Sequence, residues 1–81
     1  MDYYVYLHRK ATTGEVFYVG KGCKNRAWSS GGRSRLWKYI VNKHGYTVEI
    51  YQDCIQEWYA FELEVDLILK YGRIDLGTGT L

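Results

Sequence analysis

The chain has no proline and only two cysteines among its 81 residues. Without proline nothing forces a break in a helix or a strand, so the composition is compatible with continuous regular elements. Cys23 and Cys54 fit no zinc-ligand spacing, and a single pair does not make a disulfide framework. There is no charged start followed by an apolar signal core, and no apolar run of about 18 residues. Together these features predict a reduced, cytosolic, soluble protein without a membrane span. The length allows one small domain, 1–81, with no second core, and a core of that size is marginal.

What the chain has in quantity is aromatic surface: nine Tyr, three Trp and two Phe. Large rings bury much area per residue, and Tyr keeps a polar end for a surface or a site. The formal net charge of +2 conceals an asymmetry. Residues 1–45 carry nine Lys/Arg against two acids, and residues 46–81 carry two against seven. A basic front half suits a polyanion such as DNA, or else the two halves neutralise each other in the fold.

The pattern along the chain predicts six elements. Tyr3–His8 is a strand with Tyr4, Tyr6 and His8 on one face and Tyr3, Val5 and Leu7 on the other. "RKATTG" is a polar turn, and Glu15–Gly20 is the second strand of an antiparallel hairpin. Val16, Tyr18 and Gly20 then share a face, which allows Tyr6 and Tyr18 to lie together, subject to register. Residues 23–29 read as a short helix and "SSGGRS" as a loop. Arg35–His44 is a helix with Leu36, Ile40 and His44 on one stripe and Trp37 and Val41 beside it, closed by Gly45. Tyr46–Tyr51 alternates as a third strand. Gln56–Tyr71 is the longest helix, stopped by Gly72, and the tail "RIDLGTGTL" has no period. The predicted class is α+β, a three-stranded antiparallel sheet flanked by helices in the order β-β-α-α-β-α.

Four places could carry chemistry. "EVFYVGKG" ends in a glycine pair, but "GKGCKN" matches neither a P-loop nor a dinucleotide fingerprint. A nucleotide cofactor is therefore not expected, and the glycines read as a tight strand-to-helix turn with Lys21 as a surface cation. Arg26 follows that turn. Its planar, permanently charged fork is the natural clamp for a phosphate. Lys21, Lys24, Arg33 and Arg35 add positive field nearby, either as nucleic-acid contacts or as a solvated basic patch. On the long helix, with Phe61 as origin, Trp58, Val65 and Ile68 fall within about 60° of it. Ala60, Leu67 and Tyr71 lie on the other side of Glu64, which lands inside the apolar arc, while Glu62, Asp66 and Lys70 face away. A carboxylate there needs a partner, which is either a structural cation or a metal or proton-transfer role. His44 reads as a packed residue at a helix end, and His8 is open.

These residues match a family. "YVY" (4–6), eleven residues, then "YVG" (18–20) resembles the paired strand motifs of the GIY-YIG nucleases. An Arg follows in "GCKNRAW", and Glu64 stands in an Ala-x-x-x-Glu-x-x-x-Ile setting with Ala60 and Ile68. "NKHG" and "ELEVDLILKYGR" look like small stand-alone phage and bacterial members, and the resemblance spans nearly the whole chain. It implies a hydrolase, an endonuclease that cuts phosphodiester bonds in DNA with one divalent metal, Mg²⁺ or Mn²⁺, in a bacterial or phage-infected cytoplasm. By position it implies Tyr6, Tyr18, Arg26 and Glu64 as catalytic residues. Glu64 would ligate the metal, Arg26 would stabilise charge on the phosphate, and one Tyr would act as base while the other orients the site. A Tyr ionising near 10 needs cationic or metal neighbours for that task, and the basic front half supplies them.

The chain departs from the family pattern in four ways. Tyr4 replaces a glycine of the first motif, which a strand should tolerate. Ser30 stands where some members place a His, and no His lies near Gly32. His8 and Lys21 are the candidates to supply the missing function. The family's closing Asn would follow the tail, so a chain ending at Leu81 within "DLGTGTL" is expected either to be truncated before it or to lack that Asn.

Overall fold

The computed structural model describes residues 2–71. It shows an α+β arrangement with strands β1 (Tyr3–Lys10), β2 (Val16–Gly22) and β3 (Tyr46–Ile55), and helices α1 (Arg35–His44) and α2 (Glu57–Tyr71). The sheet has three antiparallel strands in the order β2-β1-β3. The expected stop at Gly72 and the aperiodic tail lie outside the described residues. All three strands run further than their alternation predicts, because ladder bonds continue past the last residue of the pattern. Residues 23–29 do not form a helix. Only Arg26–Trp28 closes a single 3₁₀ turn, which has no side-chain cap to extend it.

Helix α1 matches its predicted bounds because both ends are capped. The Ser34 hydroxyl accepts from the Trp37 N–H at 3.1 Å, and Gly45 takes φ 68° while its N–H reaches the Val41 carbonyl at 2.8 Å. A left-handed residue after the last turn is the role glycine fills at least cost. The helix is rotated from the predicted stripe: Trp37 and Ile40 are buried and Leu36 is 46 % exposed.

The central strand β1 is covered on both faces. On one, Tyr4, Tyr6 and Tyr18 meet Ala27, Trp37 and Ile40 under α1 and the 3₁₀ turn. On the other, Val5, Leu7 and Val19 meet Ala60 and Leu67 of α2. The β1 alternation therefore sorts residues between two apolar layers, and the buried part of the strand shows almost no polar period.

The hairpin register pairs Tyr6 with Gly20 and His8 with Tyr18, then shifts so that Arg9 faces Val16. Phe17 is the extra residue of a bulge. One inserted residue reverses the side-chain parity beyond it. Val16 thus joins Val5 and Leu7 in the α2 layer and does not share a face with Tyr18, correcting the alternation drawn from sequence. Tyr6 and Tyr18, on the near side of the bulge, do share a face, with ring centroids 6.3 Å apart.

Candidate functional site

Tyr6, Tyr18 and Arg26 come together around Arg33, which the sequence left as either a nucleic-acid contact or part of a solvated basic patch. Arg33 is 7 % exposed. Its Nη1 donates to the Tyr6 hydroxyl at 2.9 Å, its Nη2 to the Arg26 carbonyl at 2.8 Å and its Nε to the Ser29 carbonyl at 3.0 Å. The guanidinium lies 5.6 Å from the Tyr6 ring centre, 5.1 Å from Tyr18 and 5.4 Å from Trp37. Stacking and three carbonyl or hydroxyl acceptors solvate this cation, yet no described carboxylate pairs with it. Of the two readings of Arg33, the solvated basic patch is therefore overturned. The signal in "SSGGRS" was too local to find it, because loop composition says nothing about which aromatic rings fold over the loop.

The glycine pair has a different purpose from the one its sequence suggested. Gly20 and Gly22 are both strand residues of β2 and neither has a positive φ, so they do not make a turn. A Cβ on Gly20 would stand 2.5 Å from the Tyr6 hydroxyl oxygen, and one on Gly22 would stand 2.8 Å from Cβ and Cγ of Arg26. The Tyr6 ring crosses the edge strand over Gly20, and the Arg26 stem lies over Gly22. Missing side chains in β2 make room for two of the candidate catalytic groups.

Tyr4, the departure from the first motif, holds the next segment in place. Its hydroxyl donates to the Lys24 carbonyl at 2.7 Å and accepts from the Ala27 N–H at 2.9 Å, fixing the turn that carries Arg26. Arg26 itself is half-buried, with its Nη1 on the Gly31 carbonyl at 2.9 Å.

His8 is fully buried and structural. An indole N–H can only donate, so the 3.0 Å bond from Trp37 Nε1 makes His8 Nδ1 the acceptor and puts the proton on Nε2. That N–H donates to the Ala27 carbonyl at 2.7 Å. Both ring nitrogens are used, and His8 does not supply the missing motif function. Burial, with the Arg33 and Arg26 charges adding to it, lowers its pKa from 6.5 to about 4. The unfolded chain takes up this proton near pH 6.5 and the folded chain only near 4. Stability from this group is thus present above pH 6.5 and lost as pH falls to 4, up to about 3 kcal/mol. Chemical unfolding of the protein and of His8→Asn across pH 4–7.5 should show a flatter pH dependence for the variant. Parallel slopes would remove His8 as the cause.

Burial also pushes the Tyr6 phenol above its ordinary value near 10, outweighing the hydrogen bond and charge of Arg33. The cationic neighbours expected from sequence are present, but their pull on this hydroxyl is smaller than the cost of removing it from water. Tyr6 is a neutral phenol at physiological pH.

The remaining candidates are dispersed. Lys21 points to the α2 side, 5.4 Å from the Tyr3 ring centre, with its ammonium 3.3 Å from Glu57. It joins the two charge halves, as Arg9 and Glu49 do at 2.8 Å, and does not reach the Tyr6 cluster in place of a histidine. Lys24 and Arg35 are exposed. His44 is half-buried and pairs its Nδ1 with the Thr12 hydroxyl at 2.9 Å, outside the core.

Glu64 is half-buried beside the Ala60–Leu67 contact on α2, which covers the opposite face of the sheet from the tyrosine rings. Among the described residues its carboxylate makes no hydrogen bond or ion pair, so the alternative of a structural ion pair finds no partner there. Tyr6 and Tyr18 belong to the layer under α1, whereas Glu64 belongs to the helix that covers the other layer, and no described group of three or more His, Cys, Asp or Glu side chains converges on one point. A lone, partly hydrated carboxylate does fit Mg²⁺, which keeps several waters and often takes one or two protein ligands alongside substrate phosphate. Both cysteines are free. No helix of the described residues is long and apolar enough to cross a membrane.

No family model, curated protein or solved structure matches the chain.

Proposed function

We propose that the protein binds DNA through its phosphates and hydrolyses phosphodiester bonds as a divalent-metal-dependent endonuclease of the GIY-YIG kind. The observation that carries this reading is Arg33: a buried guanidinium, free of described carboxylates, bonded to the Tyr6 hydroxyl and to the carbonyl of Arg26. Positive charge held in a low-dielectric setting without an internal anion attracts an external one. A phosphodiester beside Tyr6 and Arg26 meets that requirement, and Lys24 and Arg35 extend the positive surface for flanking phosphates.

The roles divide according to environment. Arg26 stabilises charge on the phosphate oxygens, and Arg33 holds the Tyr6 hydroxyl in place while adding its field. Tyr6, kept neutral by burial, orients the phosphate or the water by donating its O–H. The base role falls to Tyr18, whose ring stacks on the same guanidinium. Glu64 would hold the metal, which when bound supplies neutralisation of the scissile phosphate and the leaving oxygen.

A second reading, a nucleic-acid-binding module without catalysis, is favoured by the raised Tyr6 phenol and by the seat of Glu64 on the α2 side of the sheet. One experiment separates them. Nicking of supercoiled plasmid in Mg²⁺ or Mn²⁺ supports the nuclease. DNA affinity that falls steeply with salt, with no nicking in either metal, supports the binding module. DNA affinity that is absent or indifferent to salt removes both.

A further inference from the structure

Among the described residues the two helices leave matched surfaces exposed on opposite sides of the sheet. On α2, Ala60 and Leu67 face the sheet, while Trp58, Phe61, Val65 and Leu69 are 63, 55, 41 and 82 % exposed. Trp58, Phe61 and Val65 of the predicted arc therefore face outward, whereas Ile68 packs against the sheet-side cluster. Four apolar side chains at i, i+3, i+7 and i+11 make a continuous stripe. A groove of about 300 Å³ runs along it, lined by Phe61 and Val65 together with Glu62 and Asp66. On α1, Leu36 and Tyr39 are 46 and 58 % exposed. They line a groove of about 450 Å³ with Arg35.

The charges of the two helices are opposite. Helix α1 carries Arg35, Lys38 and Lys43 and no acid, and the Lys43 ammonium lies 5.9 Å from the Tyr39 ring centre. Helix α2 carries four acids and one Lys. Exposed apolar stripes with polar rims are the usual form of a protein-binding surface. Each stripe here has what the other requires: apolar side chains in the middle and rim charge of the opposite sign.

We propose that the outer face of α2 docks onto the outer face of α1 of a second copy of this chain. Contact between like helices would set two acidic or two basic rims against each other, which disfavours a two-fold dimer. Because α1 and α2 cover opposite faces of the sheet, the α1–α2 contact is head-to-tail and each added copy presents a new free face. Assembly thus grows beyond the dimer. A helix of ten residues, about 15 Å long, makes a small contact area, so association is weak and depends on concentration.

Sedimentation of the whole chain at 50 mM salt, over roughly 10 µM to 1 mM, should show an average mass that climbs past the dimer and falls back as salt screens the rims. Two variants test the geometry. Leu36→Ser/Tyr39→Ser removes the α1 face, and Phe61→Ser/Val65→Ser removes the α2 face. All four positions are exposed, and circular dichroism confirms that each variant is folded. Each variant alone should remain monomeric, whereas an equimolar mixture should form a dimer that stops there, since each supplies the face the other lacks. A wild-type chain monomeric throughout the range overturns the proposal. So does either variant assembling alone, which would mean a two-fold contact, or a mixture that stays monomeric. A charge-reversed pair, Lys38→Glu and Glu62→Lys, gives an independent reading in the same assay: each should weaken assembly, and their mixture should restore it. If neither single reversal weakens assembly, rim complementarity is not what joins the copies.

Discussion

Glu64→Ala is expected to reduce metal-dependent nicking by on the order of 100-fold or more while leaving the fold intact. The two halves of this statement have separate grounds. The carboxylate is half-buried at the margin of the α2 contact and bonds to no described side chain, so its removal breaks no described polar network. Substitutions of that kind change stability by roughly 0.5 kcal/mol. Loss of cutting would then report loss of the metal ligand and not of the protein. Plasmid nicking at several Mg²⁺ concentrations, read beside a thermal melt, checks both parts. A Glu64→Ala protein that cuts as well as its parent would falsify the metal assignment. Retained DNA affinity in the same variant is also expected, because the proposed phosphate contacts are Arg26, Lys24 and Arg35 and do not include Glu64.

Gly20→Val is expected to be strongly destabilising, at about 3 kcal/mol or more. The Cβ alone would fall 2.5 Å from the Tyr6 hydroxyl oxygen and 2.6 Å from Cζ. Tyr6 cannot swing aside easily, since it is 1 % exposed, bonded to Arg33 and packed beside Tyr18 and His8. In a domain of this size the loss corresponds to a fall in Tm of roughly 12 °C or more. Gly31→Ala is the internal control. A Cβ there meets only the Ser29 hydroxyl oxygen at 3.7 Å, and the residue does not have a positive φ. It should be neutral or slightly stabilising, through a smaller entropy of the unfolded chain. A Gly20→Val protein that melts with its parent would mean that the Tyr6 ring does not lie over β2.

These two residues also show the limits of local reading. Glu64 was visible from helical angles alone as a carboxylate among apolar neighbours, because the 3.6-residue period is a property of the chain. Gly20 was visible as a glycine but its purpose was not, since Tyr6 lies fourteen positions away and only the hairpin register brings the two together. The candidate site divides in the same way. Tyr6 and Tyr18 could be placed on one face by alternation, whereas the buried guanidinium between them could not. Arg33 and Tyr6 are 27 residues apart, and loop composition gave Arg33 the appearance of a surface charge.

The sequence by itself determined the three strands, the two α-helices and their order, but not that residues 23–29 close only a single 3₁₀ turn. It set the alternation of Tyr4, Tyr6 and His8 against Tyr3, Val5 and Leu7, and the capped span of α1. Each of these follows from backbone period or from a cap within a few residues. The tertiary structure decided the rest. A bulge at Phe17 sent Val16 to the α2 layer, packing turned Leu36 and the Trp58, Phe61 and Val65 part of the α2 arc outward, and Trp37 and Ala27 took both nitrogens of His8. The reason is physical: a period fixes where side chains point along one element. Which of two apolar arcs is buried, and which polar atom finds a partner in the interior, depends on surfaces that meet only after the chain has closed on itself.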